Sequence, residues 1–226
     1  MGSDKAVLQL GEQTLLERAL AAAEPHVTQC LLACGTEPRY EHLGLPLVLD
    51  AEPSGGPLMG LVSGLEFAET EWVLLLACDM PSLGDGILDR LLAEATSASA
   101  PAGGNVDVWL FEDDGGLQPL CALYRRSSVL PAVRAALAAG ERSMVSFWDR
   151  PAGDGRPLVV RRLRDPSSGG EETGLAADIA CTNGTGNPAP PGREVDLDPF
   201  LNLNTREELD RARRAMELPA DLPLEP

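Results

Sequence analysis

EWVLLLACDMP, residues 71–81, is the stretch on which the reading of this chain turns. Seven apolar residues in a row, 72–78, show no polar alternation, so they suit a strand covered on both faces. The run is far too short to span a bilayer. A carboxylate, Asp79, follows it at once. In an open parallel sheet, ligands bind beyond the carboxyl ends of the strands, and Asp79 stands at such an end.

Working outward, the same architecture repeats. On the N-terminal side, GGPLMGLVSGLEFA (55–68) reads as a loop entering a helix, with Pro57 tolerated in the first turn. LPLVLD (45–50) and VTQCLLAC (27–34) read as short buried strands. Before them, Thr14-Leu-Leu-Glu17 is a capping box that predicts a helix to Ala23, stopped by Pro25. On the C-terminal side, helical spacing resumes over 85–95. Strands are predicted at VDVWLF (106–111) and QPLCALY (118–124), and a helix at SSVLPAVRAALAAG (127–140), closed by Gly140. Strands alternating with helices predict a layered α/β domain with a mostly parallel sheet.

After PLVVRRL (157–163) the texture changes. Residues 165–198 cluster Gly, Pro, Ser and acids, which predicts a flexible insertion. Order is expected to return at DPFLNLNTREELDRARRAM (198–216), where Thr205-Arg-Glu-Glu208 forms a second capping box. The expectation is one domain over 1–216 and a Pro-rich acidic tail over 217–226.

The charge narrows the partners. A formal net charge of −17 disfavours nucleic acid and anionic membranes. It leaves room for a small anionic ligand held by backbone N–H groups, one cation and a divalent metal. Five cysteines, at 30, 34, 78, 121 and 181, include no CxxC pair, and the two histidines stand far from any Cys pair. That pattern fits a reducing compartment better than zinc or a disulfide framework, and with no signal-like segment it reads as cytoplasmic.

Four places carry candidate chemistry. Asp79 either caps the next turn or holds Mg²⁺, a hard cation that commonly takes one or two carboxylates together with substrate phosphates. Asp50 also ends a strand, and Gly55, Gly56 and Gly60 after it allow a ligand to approach the backbone. Asn202 and Asn204, alternate residues of an extended segment, can present two amides to one side. The fourth is Lys5. Of 18 basic residues 17 are Arg, so Lys5 is the one lysine in the chain. Arg supplies the surface charge elsewhere. A compact ammonium settles against phosphate without a planar fork, which favours a functional role for Lys5.

GSDKA, LVLDAEPSGGPLMGLVSGL, EWVLLLACDMPSL, QPLCALYRRS, GERSMVSFW and FLNLNTREEL, in that order, resemble the molybdenum cofactor guanylyltransferase family over roughly 1–163 and 198–214. The resemblance implies a three-layer α/β/α nucleotidyltransferase fold that moves GMP from GTP to molybdopterin with release of pyrophosphate. It implies Mg²⁺ on Asp79, GTP phosphates on Lys5, and a nucleotide site formed by Asp50, Gly56, Pro57, Leu58, Gly60 and Asp79. Gln118, Pro119, Asn202 and Asn204 would face the pterin. Molybdoenzymes or cofactor-insertion proteins are implied as further partners. The family places a strand and a loop, LAGGxSxRMG, before its GxDK element, whereas this sequence starts at the Met-Gly of that loop. The first strand and phosphate loop are therefore expected to be missing here, with activity impaired, and an upstream start is the favoured explanation. The alternatives are a related enzyme using CTP or another phosphorylated acceptor, and a non-catalytic nucleotide- or pterin-binding protein.

Overall fold

The computed structural model describes residues 4–53, 55–80, 85–97, 106–113, 115–164 and positions 207, 208, 210, 212 and 214. The expectations for 165–198, for Asn202 and Asn204, and for the Thr205 cap lie outside the described residues.

The chain enters through a 3-10 turn, Lys5–Val7, and a small antiparallel pair, β1 (Gln9–Leu10) and β2 (Gln13–Thr14). Helix α1 (Leu15–Ala23) follows under the predicted capping box. The Glu17 N–H donates to Thr14 Oγ1 at 3.2 Å, and the Thr14 N–H donates to Glu17 Oε2 at 2.7 Å. Strands β3 (Leu32–Ala33) and β4 (Leu47–Val48) then pair in parallel. They are shorter than the apolar runs that predict them.

Helix α2 (Gly56–Phe67) starts with Pro57 in its first turn, as expected. β5 (Trp72–Leu76) is the apolar strand of the 71–81 stretch, and α3 (Asp85–Ser97) succeeds it. β6 (Val108–Asp113) turns directly into β7 (Gly116–Arg125) as an antiparallel hairpin. Helix α4 (Arg126–Ala138) and β8 (Val160–Arg164) complete the described elements, with Gly140 at φ 83° just beyond α4.

The main sheet has the order β5-β7-β6-β8. β5, β6 and β8 share one direction and β7 opposes them, because no crossover helix separates it from β6. The sheet is thus mostly parallel, with one reversed strand that the strand–helix alternation does not anticipate.

Side chains alternate across this sheet as the pleat requires. Val73, Leu75, Val108, Leu110, Ala122, Tyr124 and Val160 face α2 and α4. Trp72, Leu74, Leu76, Trp109, Phe111, Cys121, Leu123 and Leu163 face α3. Helices on both faces give the three-layer arrangement.

β5 differs from its neighbours. All five of its residues are only half-buried, whereas the centres of β6 and β7 are fully covered. The Arg126 N–H donates to Glu71 O and the Ala77 N–H to Leu120 O, so alternate main-chain groups of β5 turn toward β7. Those of Leu74 and Leu76 turn the other way, where no described residue pairs with them. In β3, Leu32 and Cys34 donate to Pro46 O and Val48 O, which leaves Ala33 turned away from β4. Among the described residues no ladder joins β3 to β5.

One close approach is worth a test. A Cβ built on Gly153 lies 2.5 Å from Ser127 O and 3.3 Å from Pro131 Cγ, against the first turns of α4. Gly153→Ala is expected to destabilise the protein by about 1–3 kcal/mol, the cost of overpacking. Urea unfolding checks it, the midpoint falling at constant m-value.

Candidate functional site

The residues ahead of β1 bridge the carboxyl ends of β3 and β5. Asp4 is the N-cap of the Lys5–Val7 turn, its Oδ1 accepting from the Ala6 N–H at 3.1 Å. Lys5 Nζ donates to Asp79 Oδ2 at 3.3 Å, just past the end of β5. Their side chains are 31% and 22% exposed. That depth leaves both open to a ligand while limiting solvent screening of their attraction.

On the other side, Asp4 Oδ2 accepts from the Tyr40 hydroxyl at 2.5 Å and from Arg39 Nη1 at 3.3 Å. Arg39 Nη2 donates to Cys34 O at 2.8 Å, at the end of β3. Sequence reasoning missed Asp4, Arg39 and Tyr40 as members of this site. The available signal was only that Asp is a preferred N-cap residue and stands directly before the one lysine.

Asp50 follows β4. Its N–H donates to Gly35 O at 2.7 Å, which binds the end of β4 to the turn after β3. The Ser63 hydroxyl of α2 donates to Asp50 Oδ1 at 3.3 Å. Burial raises the Asp50 carboxyl above its usual value, against the opposing effect of Ser63. Gly56 adopts φ 63°, a conformation open to glycine, and begins α2. Gly60 sits against β3, where an added Cβ comes 3.7 Å from that of Ala33. Leu58 is fully buried in the core. It supports the loop from inside, and any part it takes in a site is through its backbone.

Gln118 and Pro119 lie in β7 beyond the level at which β5 ends, at the same end of the sheet as Asp79. Gln118 Nε2 donates to Asp113 Oδ2 at 2.8 Å across the hairpin, and Pro119 O accepts from the buried Tyr124 hydroxyl at 2.7 Å. Both are tied into the hairpin, and neither forms a hydrogen bond with Lys5 or Asp79.

Cys78 adjoins Asp79, but burial and then the Asp79 charge push its thiol up to about 11. A raised pKa disfavours the thiolate, the form in which a cysteine attacks. Among the described residues, no three His, Cys, Asp or Glu side chains gather to hold a metal. Asp79 offers one carboxylate, and Lys5 engages only one of its oxygens. This fits a Mg²⁺ that draws its other ligands from phosphates and water, and does not fit a metal caged by protein alone. No helix among the described residues is long and apolar enough to cross a membrane.

Comparison with known proteins gives a consistent relationship. The family model of the MobA-like NTP transferase domain matches residues 1–152. A probable molybdenum cofactor guanylyltransferase of Carboxydothermus hydrogenoformans is 33% identical over 148 residues, covering 66% of this chain and 70% of that protein. Another, from Chloroflexus aggregans, is 37% identical over 147 residues, covering 63% and 67%. In fold, the chain is similar to the crystal structure of molybdopterin-guanine dinucleotide biosynthesis protein A from Archaeoglobus fulgidus. The TM-score is 0.65 at 21% identity, over 96% of this chain and 92% of that one. It is also similar to a 2-C-methyl-D-erythritol 4-phosphate cytidylyltransferase from Thermus thermophilus, with a TM-score of 0.57 at 17% identity, over 95% and 94%.

Proposed function

The chain belongs to the family of MobA-like NTP transferases, and from that membership we propose that it transfers GMP from GTP to the terminal phosphate of molybdopterin. The relatives named as molybdenum cofactor guanylyltransferases support the choice of substrates. The observation that carries the chemistry is the Lys5–Asp79 pair at 3.3 Å beyond the carboxyl end of β5.

An acceptor phosphate oxygen attacks the α-phosphorus of GTP, the bond to the bridging oxygen breaks, and pyrophosphate leaves. Such a displacement needs alignment and charge neutralisation more than a covalent helper. Lys5 sets its ammonium against the departing pyrophosphate, where negative charge accumulates. Asp79 holds a Mg²⁺, which when bound neutralises phosphate charge in the transition state. Asp50, Gly56, Pro57, Leu58 and Gly60 line the nucleotide side, while Gln118, Pro119, Asn202 and Asn204 receive the pterin. GTP is a cytoplasmic metabolite, so the reaction belongs in the cytoplasm. Molybdoenzymes, or proteins that load them, are the natural recipients of the product.

The test is transfer of labelled nucleotide from α-labelled GTP or CTP to molybdopterin in the presence of Mg²⁺. GTP is expected to be preferred by about tenfold or more, since a site that hydrogen-bonds a base leaves polar groups unpaired with the wrong one. Transfer from CTP alone would reassign the base. Absence of transfer from either nucleotide would leave a binding protein.

A further inference from the structure

The Lys5–Asp79 contact depends on where the Lys5–Val7 turn sits, and a second set of contacts bears on that. Asp4 spends both carboxylate oxygens. Oδ1 caps the turn through the Ala6 N–H, while Oδ2 is gripped by the Tyr40 hydroxyl and the Arg39 guanidinium. Arg39 is itself fixed on the Cys34 carbonyl at the end of β3, and its Cζ lies 5.8 Å from the Tyr40 ring centre.

Tyr40 is the only non-glycine residue among the described ones with positive φ, at 66° and ψ 26°. A bulky L-residue pays about 1–2 kcal/mol for that region, so its surroundings must over-determine it. Glycine is the usual occupant of such a position. Tyr40 brings a hydroxyl there instead, and the hydroxyl lands on the residue directly before Lys5.

We propose that Arg39 and Tyr40 are positioning residues, which hold Asp4 so that the capped turn presents the Lys5 ammonium to Asp79 and to the triphosphate. The clamp anchors the turn to the end of β3, and Lys5 reaches the end of β5 from it. The side chains of Arg39 and Tyr40 act through Asp4 and need touch no substrate. This rests on the reading of Lys5 as the group that neutralises phosphate, and its experiment separates the two ideas.

Lys5 is the one lysine in the chain, so acylation of its amine, followed by peptide mass spectrometry, reports its environment without any turnover. Tyr40→Phe keeps the ring and removes the hydroxyl. Arg39→Lys keeps the charge and removes the fork. Each variant is expected to acylate at Lys5 roughly 2- to 10-fold faster than the parent, the factor that one lost hydrogen bond supplies. The thermal midpoint of Tyr40→Phe serves as the control for folding.

The second readout is kcat for nucleotide transfer. Tyr40→Phe is expected to lower it several-fold in the parent and to have no effect in a Lys5→Ala background, because the two residues act as one unit. Unchanged acylation in both variants overturns the proposal. So does an equal fall in kcat with and without Lys5, which would mark a general structural role. If the parent shows no transfer at all, the functional reading fails, and the acylation rates still decide the clamp.

Discussion

Asp79→Ala is expected to lower nucleotide transfer by about 10²- to 10³-fold, the usual cost of removing one preorganised electrostatic group. The carboxylate stands just past the end of β5, 3.3 Å from Lys5 Nζ. Its loss removes the ligand proposed for Mg²⁺ and one partner of the Lys5 ammonium. Stability should change little, since exposed or half-exposed ion pairs contribute only about 0–1 kcal/mol. The diagnostic outcome is therefore a large fall in kcat at a nearly constant thermal midpoint. Lys5→Arg is expected to restore little of what Lys5→Ala loses, because a planar fork cannot replace a point charge in the same space. Steady-state transfer rates, with circular dichroism melts of the same preparations, check both. A protein that binds without catalysis would keep its ligand affinity in Asp79→Ala, and no turnover would be there to lose.

The second large effect lies away from this site. Asp107 is completely buried at the start of β6, where its carboxylate accepts a bidentate pair from Arg156 at 2.6 and 2.7 Å and the Val159 N–H at 2.9 Å. Burial on its own raises the carboxyl pKa. The Arg156 fork, the Val159 N–H and Ser128 together outweigh it, and the result lies below the ordinary value. Arg156→Ala leaves a buried charge unpaired and is expected to cost about 3–5 kcal/mol. Asp107→Asn, which keeps the shape and some hydrogen bonds, should cost less.

The same group predicts an acid limit. Its folded pKa is depressed, so its contribution is fully present above the unfolded value of about 3.9 and is lost as pH falls through the folded one. Urea titrations between pH 7 and pH 3 are expected to show parent stability dropping below about pH 4. In Asp107→Asn that part of the drop should disappear. An unchanged slope in the variant would remove Asp107 from the account.

The helices were legible because their signals are local. The Thr14–Glu17 box, Pro57 in the first turn of α2 and Gly140 after α4 each act within one turn of chain. Strands were legible in position and less so in length. The apolar run 27–34 pairs only through Leu32–Ala33, because pairing is set by a partner strand and not by the run itself. The direction of β7 was legible and went unread: the six residues between the runs 106–111 and 118–124 are too few for a crossover, so the second run folds back on the first. Lys5 stood out by composition, and Asp79 by its place after a two-sided strand. The clamp at Asp4 was not legible: 36 residues separate it from Tyr40, and nothing in EPRYEH marks one residue for a left-handed turn. The Asn202–Asn204 expectation falls outside the described residues.

The half-covered β5 has a thermodynamic consequence. A strand so apolar ordinarily forms the most protected layer of a domain, the last to open when the molecule breathes. Here the main-chain groups of Leu74 and Leu76 border no described strand, while the same segment carries Asp79 at its tip. The carboxylate proposed to hold Mg²⁺ is therefore mounted on an edge of the main sheet, less covered than the centres of β6 and β7. Any ligand that bridges Lys5 and Asp79 also acts as a brace on that strand.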